Sequence, residues 1–112
     1  MGYTTTFDVY LTGPASDLAE LTEYYLPQAW KDLDVDYHDS SYFWVQAKWY
    51  EWEEDFVVLS LIWPTIEFQI EGQGEDNLDI WKALVFNGQS QRVDAEITFP
   101  EFEPWKNYVP HP

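Results

Sequence analysis

The sequence predicts an α+β fold: two helices packed on one face of a mostly antiparallel sheet, ferredoxin-like with one strand added at the C-terminal end. Three observations predict it. Segments in which apolar and polar residues alternate are interspersed with two in which apolar residues recur every three or four positions. Proline or glycine stands at the joints between them. Asn87-Gly88, flanked by two alternating segments, is a hairpin signature.

The elements follow in order. From Tyr3 to Leu11, Tyr3, Thr5, Phe7, Val9 and Leu11 share one face of a strand, with Thr4, Thr6, Asp8 and Tyr10 on the other. Gly13-Pro14 ends it, and Pro14, Ser16 and Asp17 suit a helix start. Leu18, Leu21, Tyr25 and Leu26 mark that helix's apolar face; Pro27 should end or kink it, with a less regular continuation through Leu33. A second strand spans Tyr42–Tyr50. A second helix spans Glu51–Trp63, with Trp52, Phe56, Leu59 and Trp63 as its stripe and acids in its first turn. Pro64 stops it. Thr65–Glu71 alternates with Ile66, Phe68 and Ile70 inward; a loop, "GQGEDN", leads to a strand over Leu78–Phe86. The hairpin returns from Gln89 to about Phe99, with Val93, Ala95, Ile97 and Phe99 on one face. Residues 1–100 thus read as a single domain and 101–112 as an extended proline-rich tail whose Phe102, Trp105 and Tyr108 could pack back or meet a partner.

Composition bounds the function. The 112 residues are 46% hydrophobic and 20% aromatic, enough for a core and outside the disordered class. There is no cysteine, so neither disulfides nor thiolate metal sites arise. No apolar run of membrane-spanning length and no secretion signal is seen, so a soluble intracellular protein without membrane contact is expected. Twenty-one acids against five bases give a formal net charge of −16. Such a surface repels nucleic acid and attracts basic proteins, so direct nucleic-acid binding is not expected.

Most specific chemistries lack the residues they need. "DLDVDYHD" opens like a calcium loop, but the sixth position, which wants glycine, is Tyr37, and the twelfth, which wants glutamate, is Phe43. His38 and His111 are the only imidazoles, so no metal and no cofactor is expected. With so many acids, a carboxylate pair at glycosidase spacing carries no weight, and no nucleophile or phosphate-loop motif is present. The chain is therefore read as non-enzymatic. Of the tryptophans, Trp44, Trp49, Trp52, Trp63 and Trp81 fall in predicted elements and should be core, leaving Trp30 and Trp105 for surface work.

What remains is the clustering of acids. One group is Asp32, Asp34, Asp36 and Asp39; a second is Glu51, Glu53, Glu54 and Asp55. Charge runs are often plain solvated faces, but the five bases are dispersed singly and cannot neutralise these groups locally. If 32–36 is extended, alternate aspartates project about 6.6 Å apart, comparable to the step between phosphates. A basic groove built for phosphates could accept them and release counterions in the same way. Tyr37, Tyr42 and Trp30 would add apolar anchors beside the carboxylates.

The segments "AKWYEWEEDF", "FQIEGQGEDNLDIWKALVFNGQSQ" and "AEITFPEF", within residues 47–102, resemble small acidic proteins of bacteriophages and other mobile elements. That resemblance implies a host-defence inhibitor of the anti-CRISPR or anti-restriction, DNA-mimic kind, acting in the cytoplasm of a bacterial host. Its partner would be a basic host protein or ribonucleoprotein nuclease. Two other expectations stand beside it: an immunity-type inhibitor of a basic nuclease toxin, and a carbohydrate-binding module.

Overall fold

A computed structural model describes residues 2–102, so Trp105 and Tyr108 of the expected tail lie outside the described residues. The elements are β1 (Thr5–Thr12), α1 (Ala15–Glu20), a π-helical turn (Leu21–Tyr25), α2 (Leu26–Ala29), β2 (Val35–Asp39), β3 (Tyr42–Ala47), α3 (Trp52–Ile62), β4 (Glu67–Gln73), β5 (Ile80–Phe86) and β6 (Gln89–Asp94). The strands form one antiparallel sheet in the order β2-β3-β1-β4-β5-β6. The segment α1–α2 carries the chain from β1 past β3 to β2. Helix α3 carries it from β3 past β1 to β4. Both therefore lie over the same face.

Alternation places one row of side chains after another beneath the helices. Val35, Val45, Phe7, Gly72 and Trp81 are paired across five strands, as are Tyr37, Phe43, Val9, Ile70 and Ala83. Leu11, Phe68 and Val85 form a third row. From above, Leu18, Leu21 and Leu26 of the first helical segment and Trp52, Phe56 and Leu59 of α3 complete the core. Fully burying an aliphatic or phenyl side chain contributes about 1.5–3 kcal/mol, so these rows dominate the stability of the fold.

Gly72 is fitted to this packing, since a Cβ there would lie 2.1 Å from the Trp81 indole. That ring stacks on Trp52 at 4.3 Å and meets Phe7 edge-on at 5.9 Å. Trp49, just past β3, joins Phe7, Trp30 and Phe56, and its indole N–H donates to Asp55 Oδ2 at 2.7 Å.

Pro27 neither ends nor breaks the first helical segment. The π turn before it makes Leu26 the start of a new α-helical stretch, placing Pro27 in a first turn where its missing N–H is not needed. At the far end of the sheet, Asn87 and Gly88 both have positive φ, 49° and 78°, as a two-residue hairpin turn matched to strand twist requires. The buried Ser60 hydroxyl of α3 accepts the Gly88 N–H at 2.8 Å and fastens the hairpin to the helix.

The structure revises the expectations at three places. The acidic segment 35–39, to which the sequence assigns no element, is itself β2, an edge strand with a register break between Tyr37 and Asp39. The sheet thus has six strands where the sequence suggested five. The strand into the "GQGEDN" loop runs on to Gln73, because Gly72 pairs with both Phe7 and Trp81. The last strand stops at Asp94 and all of β6 is exposed, so Val93, Ile97 and Phe99 bury no face. Strand β5 begins at Ile80 and offers nothing to pair with beyond Ala95, whose N–H reaches the Ile80 carbonyl at 2.9 Å.

Candidate functional site

The face of the sheet turned away from the helices is uncovered among the described residues. Its central row runs Asp36, Trp44, Asp8, Glu71, Lys82, Val93 from β2 to β6. Neighbouring strands stand about 4.8 Å apart, so Asp8 lies one step from Glu71 and two from Asp36. The next row contains Tyr42, Tyr10, Gln69, Leu84 and Gln91, with Glu67 at the end of β4.

The aromatic part of this face is ordered by hydrogen bonding. The Tyr42 hydroxyl donates a short hydrogen bond to Asp8 Oδ1, and the Tyr10 and Tyr42 rings lie 5.0 Å apart. The bond to the Asp8 carboxylate, then partial burial, holds the Tyr42 phenol well above its ordinary pKa. Desolvation raises Tyr10, helped by the negative charges of Glu71 and Asp8. His38 meets Tyr42 edge-on at 5.9 Å. Trp44 is half-buried between Asp36 and Asp8, leaving part of an indole at the surface amid carboxylates.

Of the residues expected to form the site, some meet here and others are separated. Asp36 and Tyr42 lie on the open face, with exposed Asp34 just ahead of β2. Asp32 sits in a turn, so the expected extended ladder over 32–36 is not formed. Asp39 closes the β2–β3 turn, accepting from the Ser41 N–H at 2.7 Å and its hydroxyl at 2.8 Å. Those two bonds hold its carboxyl below the usual range.

Glu51, Glu53, Glu54 and Asp55 are not part of this surface. They open α3 on the helical layer, where negative charge complements the helix dipole. Glu53 Oε2 accepts from Ser90 of β6 at 2.9 Å, and Asp55 is engaged by Trp49. The two acidic groups therefore do not make one patch. Tyr37 also points to the helix side, 5.8 Å from Phe43, and burial raises its phenol. Trp30 packs against Phe43, Trp49 and Phe56 at 6.1, 4.9 and 5.2 Å, and is a half-buried residue packed on the core rather than a free surface anchor.

The residues that replace them are Asp8, Tyr10, Trp44 and Glu71. Their signal was parity: each alternates with a core residue along its own strand. Only two ion pairs form among the described residues, Lys82–Glu71 at 3.7 Å and Arg92–Asp94 at 3.1 Å. Most described carboxylates thus have no basic side chain beside them, Glu71 of the central row being an exception. No three His, Cys, Asp or Glu side chains converge on a metal position among the described residues.

One cavity, of about 150 Å³, lies at the end of the helix-covered layer among Tyr3, Trp49, Trp52, Asp79, Trp81 and Arg92. Its tryptophans are nearly buried, and the Arg92 guanidinium lies 4.9 Å from the Trp81 ring centre. The Trp81 ring is thus stacked on Trp52 and also approached by Arg92. No protein-family model, curated protein or solved structure matches this chain. No described helix is long and apolar enough to cross a membrane.

Proposed function

We propose that the open sheet face binds a basic, nucleic-acid-binding protein, with carboxylates standing where phosphates would otherwise sit. The protein acts without catalysis, as an inhibitor of a bacterial host-defence nuclease in the cytoplasm. The observation that carries this reading is the row of Asp36, Asp8 and Glu71 at strand spacing, interleaved with Trp44 and bordered by Tyr10 and Tyr42. Carboxylates give charge complementarity and fast encounter, while the aromatic rings supply contact area with little conformational entropy to lose. The element order β-α-β-β-α-β and the strand order up to β4 support a ferredoxin-like unit, with β5 and β6 added as a hairpin.

The test is capture from bacterial lysate at about 0.05 M and about 0.5 M salt, where screening lengths differ several-fold. Wild type is compared with an Asp8→Asn/Asp36→Asn/Glu71→Gln variant. The expected result is a basic nuclease retained at low salt by wild type only, with its DNA displaced. Retention that ignores both salt and the triple substitution would refute the reading.

A further inference from the structure

We propose that β6 is a self-pairing edge, through which two copies of the chain join into one continuous sheet. The two edges of the sheet differ. β2 has a register break, Asp36 and Asp39 lie along it and Asp34 just ahead of it, all devices that discourage strand addition. β6 pairs with β5 in unbroken register from Phe86↔Gln89 to Trp81↔Asp94, and no proline interrupts residues 89–99. Among the described residues nothing covers it, and all six of its residues are exposed.

The geometry of the hairpin determines which backbone groups are free. A two-residue turn is closed by the Phe86–Gln89 pair, and bonded pairs then alternate along the ladder. Gln89, Gln91 and Val93 therefore direct their N–H and C=O groups at β5, as Ala95 does with its bond to Ile80. Ser90, Arg92 and Asp94 direct theirs outward.

An antiparallel partner of the same sequence must be centred on one residue. Centred on Arg92 or Asp94, it sets like charges directly opposite. Centred on Ala95, it sets Asp94 against Glu96. Centred on Gln91, it leaves Arg92 facing serine. Centred on Val93, it sets Arg92 opposite the partner's Asp94 and the reverse, two opposite-charge pairs related by symmetry. In that register Arg92 and Asp94, both with outward backbone groups, form the bonded pairs, and Val93 meets Val93 at the close, non-bonded position.

The same register explains the segment after β6. Val93 and Ile97 are each 55% exposed and Phe99 is 85% exposed, yet the alternation of a strand continues through them. β5 is too short to pair beyond Ala95. On a second copy, Ile97 falls opposite Gln89 and Phe99 opposite Asn87, next to the exposed Phe86 of β5. The outer half of the strand thus finds on its twin the neighbour it lacks at home. Two of the four described bases, Lys82 and Arg92, stand at this end of the sheet.

This inference is independent of the open-face reading, and salt separates the two. Self-association of two strongly acidic chains is opposed by mutual repulsion, so it should strengthen as salt rises, whereas binding to a basic partner should weaken. Sedimentation equilibrium of the full chain from about 0.05 to about 0.5 M salt reads the first directly. The expected result is a dimer that tightens with salt. Arg92→Asp, which faces Asp94 with another acid, should weaken it more than about tenfold. The Arg92→Asp/Asp94→Arg double exchange should return it to within about threefold. Glu96→Gln, which removes a charge facing the Ser90–Glu53 pair of the twin, should tighten it without touching the fold. Far-UV circular dichroism checks that each variant folds. A chain that stays monomeric at high salt, or a dimer indifferent to these three variants, would overturn the proposal.

Discussion

The covered and open faces of this sheet are built from the same strands, one residue out of step, and they have opposite chemistry. Beneath the helices, Val45, Phe7, Gly72 and Trp81 make an apolar row in which even a hydrogen-to-methyl change at Gly72 meets the Trp81 ring. One residue along each strand, Trp44, Asp8, Glu71 and Lys82 make a row that water reaches. The contrast separates the two demands on the chain. Packing holds the rows in register, and because side-chain parity is strict, that same register aligns the carboxylates on the other side. A slip of one residue would expose the core and bury the charges together.

Substitutions at matched positions should expose that asymmetry. The largest loss is expected on the covered side: Trp81→Ala removes the partner of both Trp52 and Phe7 and should cost about 4 kcal/mol in urea unfolding. Gly72→Ala should follow at about 2–3 kcal/mol, because the added methyl meets an indole wedged between neighbours. An effect under about 1 kcal/mol there would mean that Trp81 is free to move.

On the open side the expected effects on stability are small. Tyr42→Phe removes a half-buried hydrogen bond to a carboxylate and should cost about 1 kcal/mol. The folded chain raises the Tyr42 phenol, so folding favours its protonated form. Its contribution is full below about pH 10, the unfolded value, and is lost as pH rises through the folded one. Ultraviolet titration should find a phenol ionising well above the ordinary tyrosine range, and that late step should be missing in Tyr42→Phe. Smallest of all, Asp8→Asn/Asp36→Asn/Glu71→Gln should change stability by no more than about 1 kcal/mol in either direction, while abolishing capture of a basic partner. If this triple unfolded the chain, the open face would be structural and the contrast would collapse.

Much of the fold is legible in the sequence. The alternation of Phe7, Val9 and Leu11, the Trp52-Phe56-Leu59 stripe and Asn87-Gly88 each identify their element through local chemistry. β2 is not legible in this way. "VDYHD" is short and acidic with only two apolar side chains, and it is a strand because β3 offers it a ladder. Trp30 reads as free in the sequence since it follows the regular part of a helix, and only the fold brings Phe43, Trp49 and Phe56 around it. Trp44 reads as core because it lies inside a strand, although its place between Phe43 and Val45 assigns it to the other face.

The sequence by itself determined the fold class, most element positions, the hairpin turn and the acidic surplus, because periodicity, turn stereochemistry and charge act over a few neighbouring residues. The tertiary structure alone decided which carboxylates share a surface, which tryptophans are buried, and how the two edges of the sheet differ. Those properties depend on which strand lies beside which, and pairing between segments far apart in the chain leaves no local trace.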